Sequence, residues 1–175
     1  MKPALKFTEL NKTIHDRKTF DCGTEELNTF LQQYAVRHSL AGISKTMVLP
    51  EEDNRADICS CYTLSHTEIK RQSLPNSIAK KLPHYPIPVL LVAQLAVNRR
   101  AQGQGLGKIT LIRALKHCYQ INQHLPSCAV VVDALDEGVQ AFYTQYGFRV
   151  LDTNSHRIRL FLSMATVGEL FGREQ

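Results

Sequence analysis

Residues 97–108 read VNRRAQGQGLGK, and the interpretation of the whole chain starts from this stretch. It follows the apolar run VLLVAQLAV at residues 89–97, which is typical of a buried central strand. It precedes residues 109–124, where apolar side chains recur at helical spacing. Glycines in such a turn let backbone N–H groups face inward, and the helix N-terminus adds positive potential. The pattern therefore predicts a cradle for a phosphate or pyrophosphate group.

Two common phosphate-binding motifs do not fit this turn. A P-loop requires G-x-x-x-x-G-K-[ST], but Gln102 replaces its first glycine and Ile109 replaces its hydroxyl residue. The dinucleotide fingerprint requires G-x-G-x-x-G, and its third glycine position falls on Lys108. The spacing that remains is Q-x-x-G-x-G, formed by Gln102, Gly105 and Gly107.

This spacing resembles the acetyl-CoA pyrophosphate loop of the GNAT N-acetyltransferases. In that family a second buried strand follows, then a helix that carries a tyrosine, then the pair GF. Here residues 129–132 read AVVV and residues 141–148 read AFYTQYGF. The run A-F-Y-x-x-x-G-F is characteristic of the family, and the match in order and spacing covers roughly residues 89–163.

The N-terminal part shows a narrower resemblance. FDCG at residues 20–23, LN at 27–28 and FL at 30–31 resemble the opening of the GNAT toxins of bacterial type II toxin–antitoxin modules. YTL at residues 62–64, followed by a basic stretch that contains prolines, is similar to the same branch. Together the two resemblances span most of the chain.

The resemblance implies one GNAT domain over residues 1–175, of class α+β. Its mixed, mostly antiparallel central sheet would be flanked by helices, with an acetyl-CoA cleft beside the central strand. The local pattern predicts helices at residues 24–39, 77–82, 109–124 and 137–146, with Thr24 as an N-cap and Gly147 as a left-handed C-cap. It predicts strands at residues 5–10, 46–49, 58–66, 89–97 and 129–132, and a closing hairpin of 148–151 with 159–163. On the helix after the glycine turn we expect Leu111, Ile112, Leu115 and Tyr119 to share the buried face.

The resemblance also implies acetyl-CoA as co-substrate, with no metal. Backbone N–H groups near the end of the central strand would polarise the thioester carbonyl, and the loop amides would hold the pyrophosphate. The expected cofactor-binding residues are Leu95, Ala96, Val97, Gln102, Gly103, Gln104, Gly105, Leu106, Gly107 and Lys108. Tyr143 is the expected general acid, because a phenol with a pKa near 10 can protonate a leaving thiolate, whose thiol has a pKa of about 8.5. Tyr146, one turn later, is expected to be structural.

Charge and acid–base chemistry indicate the acceptor. The net charge is +5, but from Glu68 to His117 the chain has nine Lys/Arg and one acid, a net charge of +8. Such a window is typical of a polyanion-binding surface, although a solvated face has the same composition.

The seven histidines are scattered singly, so no general base stands out. Without a base, an α-amine with a pKa of about 7.7–8.0 suits the reaction better than a lysine at about 10.4.

These observations favour aminoacyl-tRNA, the acceptor that the toxin resemblance implies, and acetylation would block translation. The expected tRNA-binding residues are Arg37, Lys45, Lys80, Lys81, Arg99 and Arg100. The alternatives are acetylation of a small amine or a protein N-terminus, and a non-catalytic nucleic-acid-binding module. By family analogy we expect a cognate antitoxin of the ribbon-helix-helix type and a homodimer.

The remaining composition is ordinary for a globular protein. The chain has 175 residues and 43% hydrophobic residues, with no apolar run of the length that a transmembrane helix needs and no secretory signal at its start. Its five cysteines lack metal-ligand spacing and are expected to be reduced thiols. We therefore expect a cytoplasmic protein without membrane or metal partners.

Overall fold

The computed structural model describes residues 1–152 and 156–172. The strands are β1 (Thr8–Glu9), β2 (Ser44–Pro50), β3 (Ile58–Ile69), β4 (Ile87–Val97), β5 (Ala129–Ala134), β6 (Arg149–Asp152) and β7 (Ile158–Ser163). The helices are α1 (Glu25–Thr29), α2 (Ala35–Leu40), α3 (Asn76–Ala79), α4 (Leu106–Asn122), α5 (Glu137–Thr144) and α6 (Met164–Phe171). A π-helical segment, Phe30–Tyr34, joins α1 to α2. Short 3-10 turns cover Arg71–Ser73 and Arg99–Ala101.

The strands form one seven-stranded sheet in the order β1-β2-β3-β4-β5-β7-β6. The pairs β1–β2, β2–β3, β5–β7 and β6–β7 are antiparallel. The pair β4–β5 is parallel and aligns Leu90 with Val130 and Val92 with Val132. The predicted class, α+β with a mixed and mostly antiparallel sheet, is confirmed. Within the described residues, no helix is both long enough and apolar enough to cross a membrane.

The chain forms two compact units. The first unit comprises Met1–Ser65 and Ala93–Ala114, and the second comprises His66–Val92 and Leu115–Gln175. Strands β3 and β4 and helix α4 each pass from one unit into the other.

The core of the first unit lies between the N-terminal helices and the sheet. Leu31 and Ala35 from the helical segment pack with Val48 of β2 and Ile58 of β3, all of them fully buried or nearly so. A second cluster packs Leu49 and Cys59 against Ala101 and Leu106, at the two ends of the glycine turn. The turn is therefore anchored at both ends by buried apolar side chains.

The core of the second unit is built from strands with continuous apolar runs. Ala129 and Val131 of β5 pack with Phe161 of β7 and with Val89 of β4. The loop between β3 and β4 contributes to the same cluster through Leu74 and Ala79, which are 5% and 7% exposed. This loop is therefore attached to the core, although its sequence is rich in proline and lysine.

Several predicted details are wrong or incomplete. The first strand is only Thr8–Glu9, and α6 was not predicted. Helix α4 begins at Leu106, so Gly107 lies in the first helical turn and not in the loop. Ile112 is 42% exposed, because the buried stripe of α4 is centred on the neighbouring positions Leu111, Ala114, Leu115 and Cys118.

The termini of two helices test the predicted caps. Thr24 has the extended backbone of an N-cap residue, but its side chain makes no capping hydrogen bond. Gly147 after α5 has φ +91, so its predicted left-handed conformation is confirmed.

All five cysteines are free thiols, as the sequence predicts. Cys59, Cys61 and Cys118 are buried, and burial raises the pKa of Cys61 and of Cys118 to about 12. These thiols are therefore protonated at neutral pH and behave as small apolar side chains.

Leu160 offers a test of the second unit's core. It is fully buried in β7, where it pairs with Val132 of β5 and Val150 of β6. We expect Leu160→Ala to lower the free energy of unfolding in urea by about 2–5 kcal/mol, since it leaves a cavity at the centre of three strands. Leu125→Ala, at a position that is 57% exposed, is the matched control and should change this free energy by less than about 0.5 kcal/mol. Equal effects of the two changes would contradict the assignment.

Candidate active site

The glycine turn joins β4 to α4 in the first unit. After the 3-10 turn Arg99–Ala101, Gly103 and Gly105 have φ +76 and +75. A Cβ added at either glycine would meet no atom within 4 Å, so the turn needs glycine for its backbone conformation and not for lack of space. This left-handed backbone costs other residues about 1–2 kcal/mol each.

The turn presents a row of unbonded backbone donors. Within the described part of the chain, no acceptor faces the N–H groups of residues 103–108. The first N–H that bonds back is that of Ile109, which donates to the Gly105 carbonyl at 3.3 Å. The first turn of α4 carries no acidic side chain, and Lys108 in that turn is exposed. Unbonded amides at the positive end of a 17-residue helix form a site for an anion.

Gln102 holds the turn in place through its side chain. Its Nε2 donates to the Val97 carbonyl at 2.9 Å and to the Cys22 carbonyl at 3.0 Å. Its backbone N–H donates to the Arg99 carbonyl at 3.3 Å. All three hydrogens are used within the protein, so Gln102 is a positioning residue for the turn and its amides are not free for a ligand.

The FDCG stretch, residues 20–23, contains Cys22, whose carbonyl accepts one of the hydrogen bonds from Gln102. Asp21 Oδ1 accepts from the Gly23 N–H and from Asn28 Nδ2, both at 2.8 Å. The hydrogen bonds from Asn28 and Gly23 lower the pKa of Asp21 more than the charge of Arg99 does. Arg99 returns two contacts: its N–H donates to the Asp21 carbonyl at 2.8 Å, and its Nη1 lies 3.3 Å from Asp21 Oδ2. Gly23 has φ +91, a backbone conformation that favours glycine, and a Cβ there would lie 2.9 Å from Arg99 Nε. The N-terminal motif thus buttresses the glycine turn.

The end of β4 is the segment where the oxyanion donors are expected. Ala96 is buried at 6% exposure, while Leu95 and Val97 are half-buried. Val97 is also tied to the turn, because its carbonyl accepts from Gln102. The donor role of this segment stays a prediction.

Tyr143 lies on α5 in the second unit. Tyr143 is 6% exposed. The centre of its ring lies 5.2 Å from that of Phe142 and 5.4 Å from that of Phe148. Among the described residues, Ser44 Oγ is the one buried side-chain polar atom without a partner, and the Tyr143 hydroxyl makes no hydrogen bond there. The ring is therefore packed in the core, and the hydroxyl has no hydrogen bond within the described residues.

Burial is the main cause that raises the pKa of Tyr143 above its ordinary value, and the charge of Asp133 adds to it. That carboxylate is paired with Arg159, whose Nε and Nη2 donate to it at 2.7 and 2.8 Å. The phenol therefore stays neutral and able to donate a proton throughout the neutral range. Tyr146 stacks edge-on against Phe142 at 5.2 Å, which fits the structural role predicted for it.

The six basic residues predicted to bind tRNA fall into two groups. In the first unit, Lys45 pairs with Glu9 at 2.9 Å, Arg100 pairs with Asp57 at 2.8 Å, and Arg99 pairs with Asp21. The second group is exposed and has no acidic partner within the described residues. It consists of Arg37 in the first unit and of Lys80 and Lys81 in the second. These three keep their full charge for a polyanion.

Among the residues described, no group of three His, Cys, Asp or Glu side chains is arranged to hold a metal ion.

This chain is similar to known toxins. It is 27% identical to the tRNA-acetylating toxin of Mycobacterium tuberculosis over 86% of this chain and 88% of that protein. It is 28% identical to the probable toxin TacT of Sinorhizobium fredii over 93% of each. The predicted resemblance to the GNAT toxins is confirmed. No family model matches the chain.

Solved structures agree with this result. A tyrosine-to-phenylalanine variant of KacT superposes with a TM-score of 0.87 and is 28% identical in sequence. AtaT complexed with acetyl-methionyl-tRNAfMet superposes with a TM-score of 0.86 and is also 28% identical. Each match covers 95% of this chain and 98% of the other chain. AtaTR bound with AcCoA reaches 0.80 at 26% identity, over 95% of this chain and 97% of the other. A variant of AtaT bound to the C-terminus of the antitoxin AtaR reaches 0.80 at 25%, with the same coverage.

The environment of Tyr143 makes a prediction for its titration. In a sample labelled with ¹³C at tyrosine Cζ, one resonance should vanish in Tyr143→Phe and can be assigned to Tyr143. Because burial raises its pKa, we expect the midpoint of that resonance's titration to lie above the usual tyrosine pKa of about 10. A midpoint at or below pH 10 would contradict the buried environment described here.

Proposed function

We propose that this chain is a toxin that transfers acetyl from acetyl-CoA to the α-amine of aminoacyl-tRNA, and that residues 1–175 act as one GNAT domain. The observation that carries the proposal is the glycine turn with its unbonded N–H groups at residues 103–108, in a chain that resembles AtaT throughout. An N-acetylated aminoacyl group has an amide in place of its nucleophilic amine. Such a tRNA cannot accept a growing peptide, so translation would stop.

The residues of the turn fit the pyrophosphate of acetyl-CoA. Two left-handed glycines place no side chain over the amides, the helix start carries no carboxylate, and Lys108 adds a positive charge. Acetyl-CoA supplies the activated acetyl group. The backbone N–H groups at Leu95–Val97 would stabilise negative charge on the carbonyl oxygen as the amine attacks.

The acid–base steps balance without a protein base. The amine nitrogen forms a bond to the acetyl carbon, the carbon–sulfur bond breaks, and Tyr143 gives its proton to the departing thiolate. The nitrogen loses one proton as it becomes an amide, and through solvent this proton returns the Tyr143 phenolate to its neutral form. About 10–20% of an α-amine is neutral at pH 7, against about 0.04% of a lysine amine, so solvent can take the amine's proton beforehand. Burial raises the pKa of Tyr143, so the phenol still carries its proton when the thiolate departs.

The proposed partners follow from the same likeness. AtaT is bound to the C-terminus of the antitoxin AtaR in one solved structure, and we propose a cognate antitoxin for this chain as well. A ribbon-helix-helix antitoxin, a homodimer and action in the cytoplasm, where charged tRNA is found, belong to this proposal.

The decisive experiment is transfer of radiolabelled acetyl from acetyl-CoA to a pool of charged tRNA. Label should enter the aminoacyl group, and neither uncharged tRNA nor tRNA carrying a 2-hydroxy acid should accept it, because both lack the amine. Label on a small amine or a protein N-terminus, with none on charged tRNA, would overturn the proposed acceptor and favour that alternative.

Tyr143→Phe tests the acid. We expect kcat to fall by about 10²–10⁴-fold, the usual contribution of general acid catalysis. The dissociation constant of acetyl-CoA should stay within about twofold, since this step is not part of binding. Tyr146→Phe is the matched control, because its hydroxyl has no proposed role, and it should retain full activity. A Tyr143→Phe enzyme with unchanged kcat would rule out the proton transfer.

Gln102→Ala tests the clamp on the turn. Two lost hydrogen bonds of about 0.5–1.5 kcal/mol each correspond to roughly 5–150-fold weaker acetyl-CoA binding by calorimetry. Binding of acetyl-pantetheine, which has no pyrophosphate, should not change. Gln104→Ala, an exposed neighbour without hydrogen bonds in the described chain, should bind acetyl-CoA normally. Equal behaviour of the two variants would contradict the positioning role of Gln102.

Lys80→Ala/Lys81→Ala tests the RNA contact. Losing two phosphate contacts should reduce the slope of log K for tRNA against log salt by about 1.4–1.8. Lys12→Ala/Lys18→Ala removes the same charge from two other exposed positions and should leave the slope almost unchanged. An identical slope for both double variants would show that only net charge matters.

A further inference from the structure

The loop between β3 and β4 carries features that acetyl transfer does not explain. It contains Tyr85, whose side chain is 65% exposed and makes no contact with another ring in the described chain. Lys80 and Lys81 precede it, exposed and without acidic partners among the residues described. From Ile69 to Val132 the sequence contains no Asp or Glu at all. An exposed aromatic ring in an acid-free segment is a composition that single-stranded nucleic acid fits.

The loop is held in shape, which distinguishes it from a floppy basic tail. Arg71 Nε donates to the Ala79 carbonyl at 2.7 Å and to the Leu82 carbonyl at 3.0 Å, and Nη1 lies 3.3 Å from His84 Nδ1. This guanidinium covers carbonyls at the end of α3, directly beside the two lysines. Ile78 and Leu82 pack against the core of the second unit.

The backbone around Tyr85 is restricted as well. Pro83 and Pro86 fix their own φ angles, and Pro86 also limits the backbone of Tyr85, the residue before it. A ring presented on such a backbone loses little conformational entropy when it binds. With 65% of the residue exposed and no other ring against it in the described chain, Tyr85 offers open surface for stacking.

We propose that Tyr85 is a stacking platform for an unpaired base at the 3′ end of the tRNA, with Lys80 and Lys81 on the adjoining phosphates. The proposal rests on the proposed function for the identity of the RNA. Every tRNA ends in unpaired nucleotides next to the aminoacyl group, and aromatic stacking is the usual way in which proteins hold unpaired bases. Because any base has a stacking face, this contact would hold the acceptor end without choosing the amino acid.

The test uses full-length protein and three variants of one residue. Tyr85→Phe keeps the aromatic face, Tyr85→Leu keeps apolar bulk without it, and Tyr85→Ala removes both. All three should melt at the temperature of the unchanged protein, since the side chain is mostly exposed. Binding is measured at fixed salt to an intact uncharged tRNA and to the same tRNA with its unpaired 3′ nucleotides removed.

We expect Tyr85→Ala and Tyr85→Leu to weaken binding of the intact tRNA by about 5–150-fold, the range reported by alanine substitution at stacked bases. Tyr85→Phe should stay within about twofold, and none of the three should affect the trimmed tRNA. The salt slope should not change, because no phosphate contact is lost. A 2-aminopurine placed in the 3′ end gives a direct signal: its fluorescence should be quenched by the unchanged protein and by Tyr85→Phe only. The chain has no tryptophan to contribute background.

Two results would overturn the proposal. Equal binding of intact tRNA by Tyr85→Ala and the unchanged protein would exclude stacking, and weakened binding of an antitoxin by that variant instead would assign the ring to a protein partner. Equal losses on intact and trimmed tRNA would exclude the 3′ end. Acetyl transfer to charged tRNA by the unchanged protein, measured in parallel, separates these results from a failure of the proposed function, which would show as no transfer at all.

Discussion

The double hydrogen bond from Gln102 Nε2 to the carbonyls of Val97 and Cys22 is the interaction on which the proposed site depends. It ties the glycine turn to the strand before it and to the N-terminal FDCG stretch. With the side chain engaged in this way, the backbone of residues 103–108 is free to face outward with its N–H groups unbonded. Water meets these donors in the free protein, because Gly103, Gln104 and Gly105 are exposed, and an anion can take the place of that water.

The N-terminal motif and the glycine turn are therefore one structural device. Asp21 organises the FDCG turn through Asn28 and the Gly23 N–H, and Arg99 packs over the glycine that has no side chain to obstruct it. This explains in physical terms why the two stretches that resemble GNAT toxins occur in one chain, although 80 positions separate Cys22 from Gln102. The Arg99 guanidinium is also paired with Asp21. If Arg99 binds RNA as predicted, an RNA phosphate has to compete with Asp21 for that guanidinium.

The features that sequence could predict are local ones. The glycine turn after β4 and the left-handed Gly147 follow from turn chemistry, and β4 and β5 follow from continuous apolar runs. The features that it could not predict are mostly long-range. The pairing of Arg100 with Asp57 joins positions 43 residues apart, and nothing in either local pattern signals it. The exposure of Ile112 shows a related limit, because helical spacing alone did not say where the centre of the buried stripe falls.

The most direct test of the account is amide hydrogen exchange at residues 103–108 with and without acetyl-CoA, compared with acetyl-pantetheine. We expect acetyl-CoA to slow exchange at these amides, because the pyrophosphate oxygens accept from them, and acetyl-pantetheine to leave exchange unchanged. Slowed exchange with both compounds would mean that the turn responds to the acyl arm and not to the pyrophosphate. Acetyl-CoA that binds without slowing exchange at residues 103–108 would contradict the central claim.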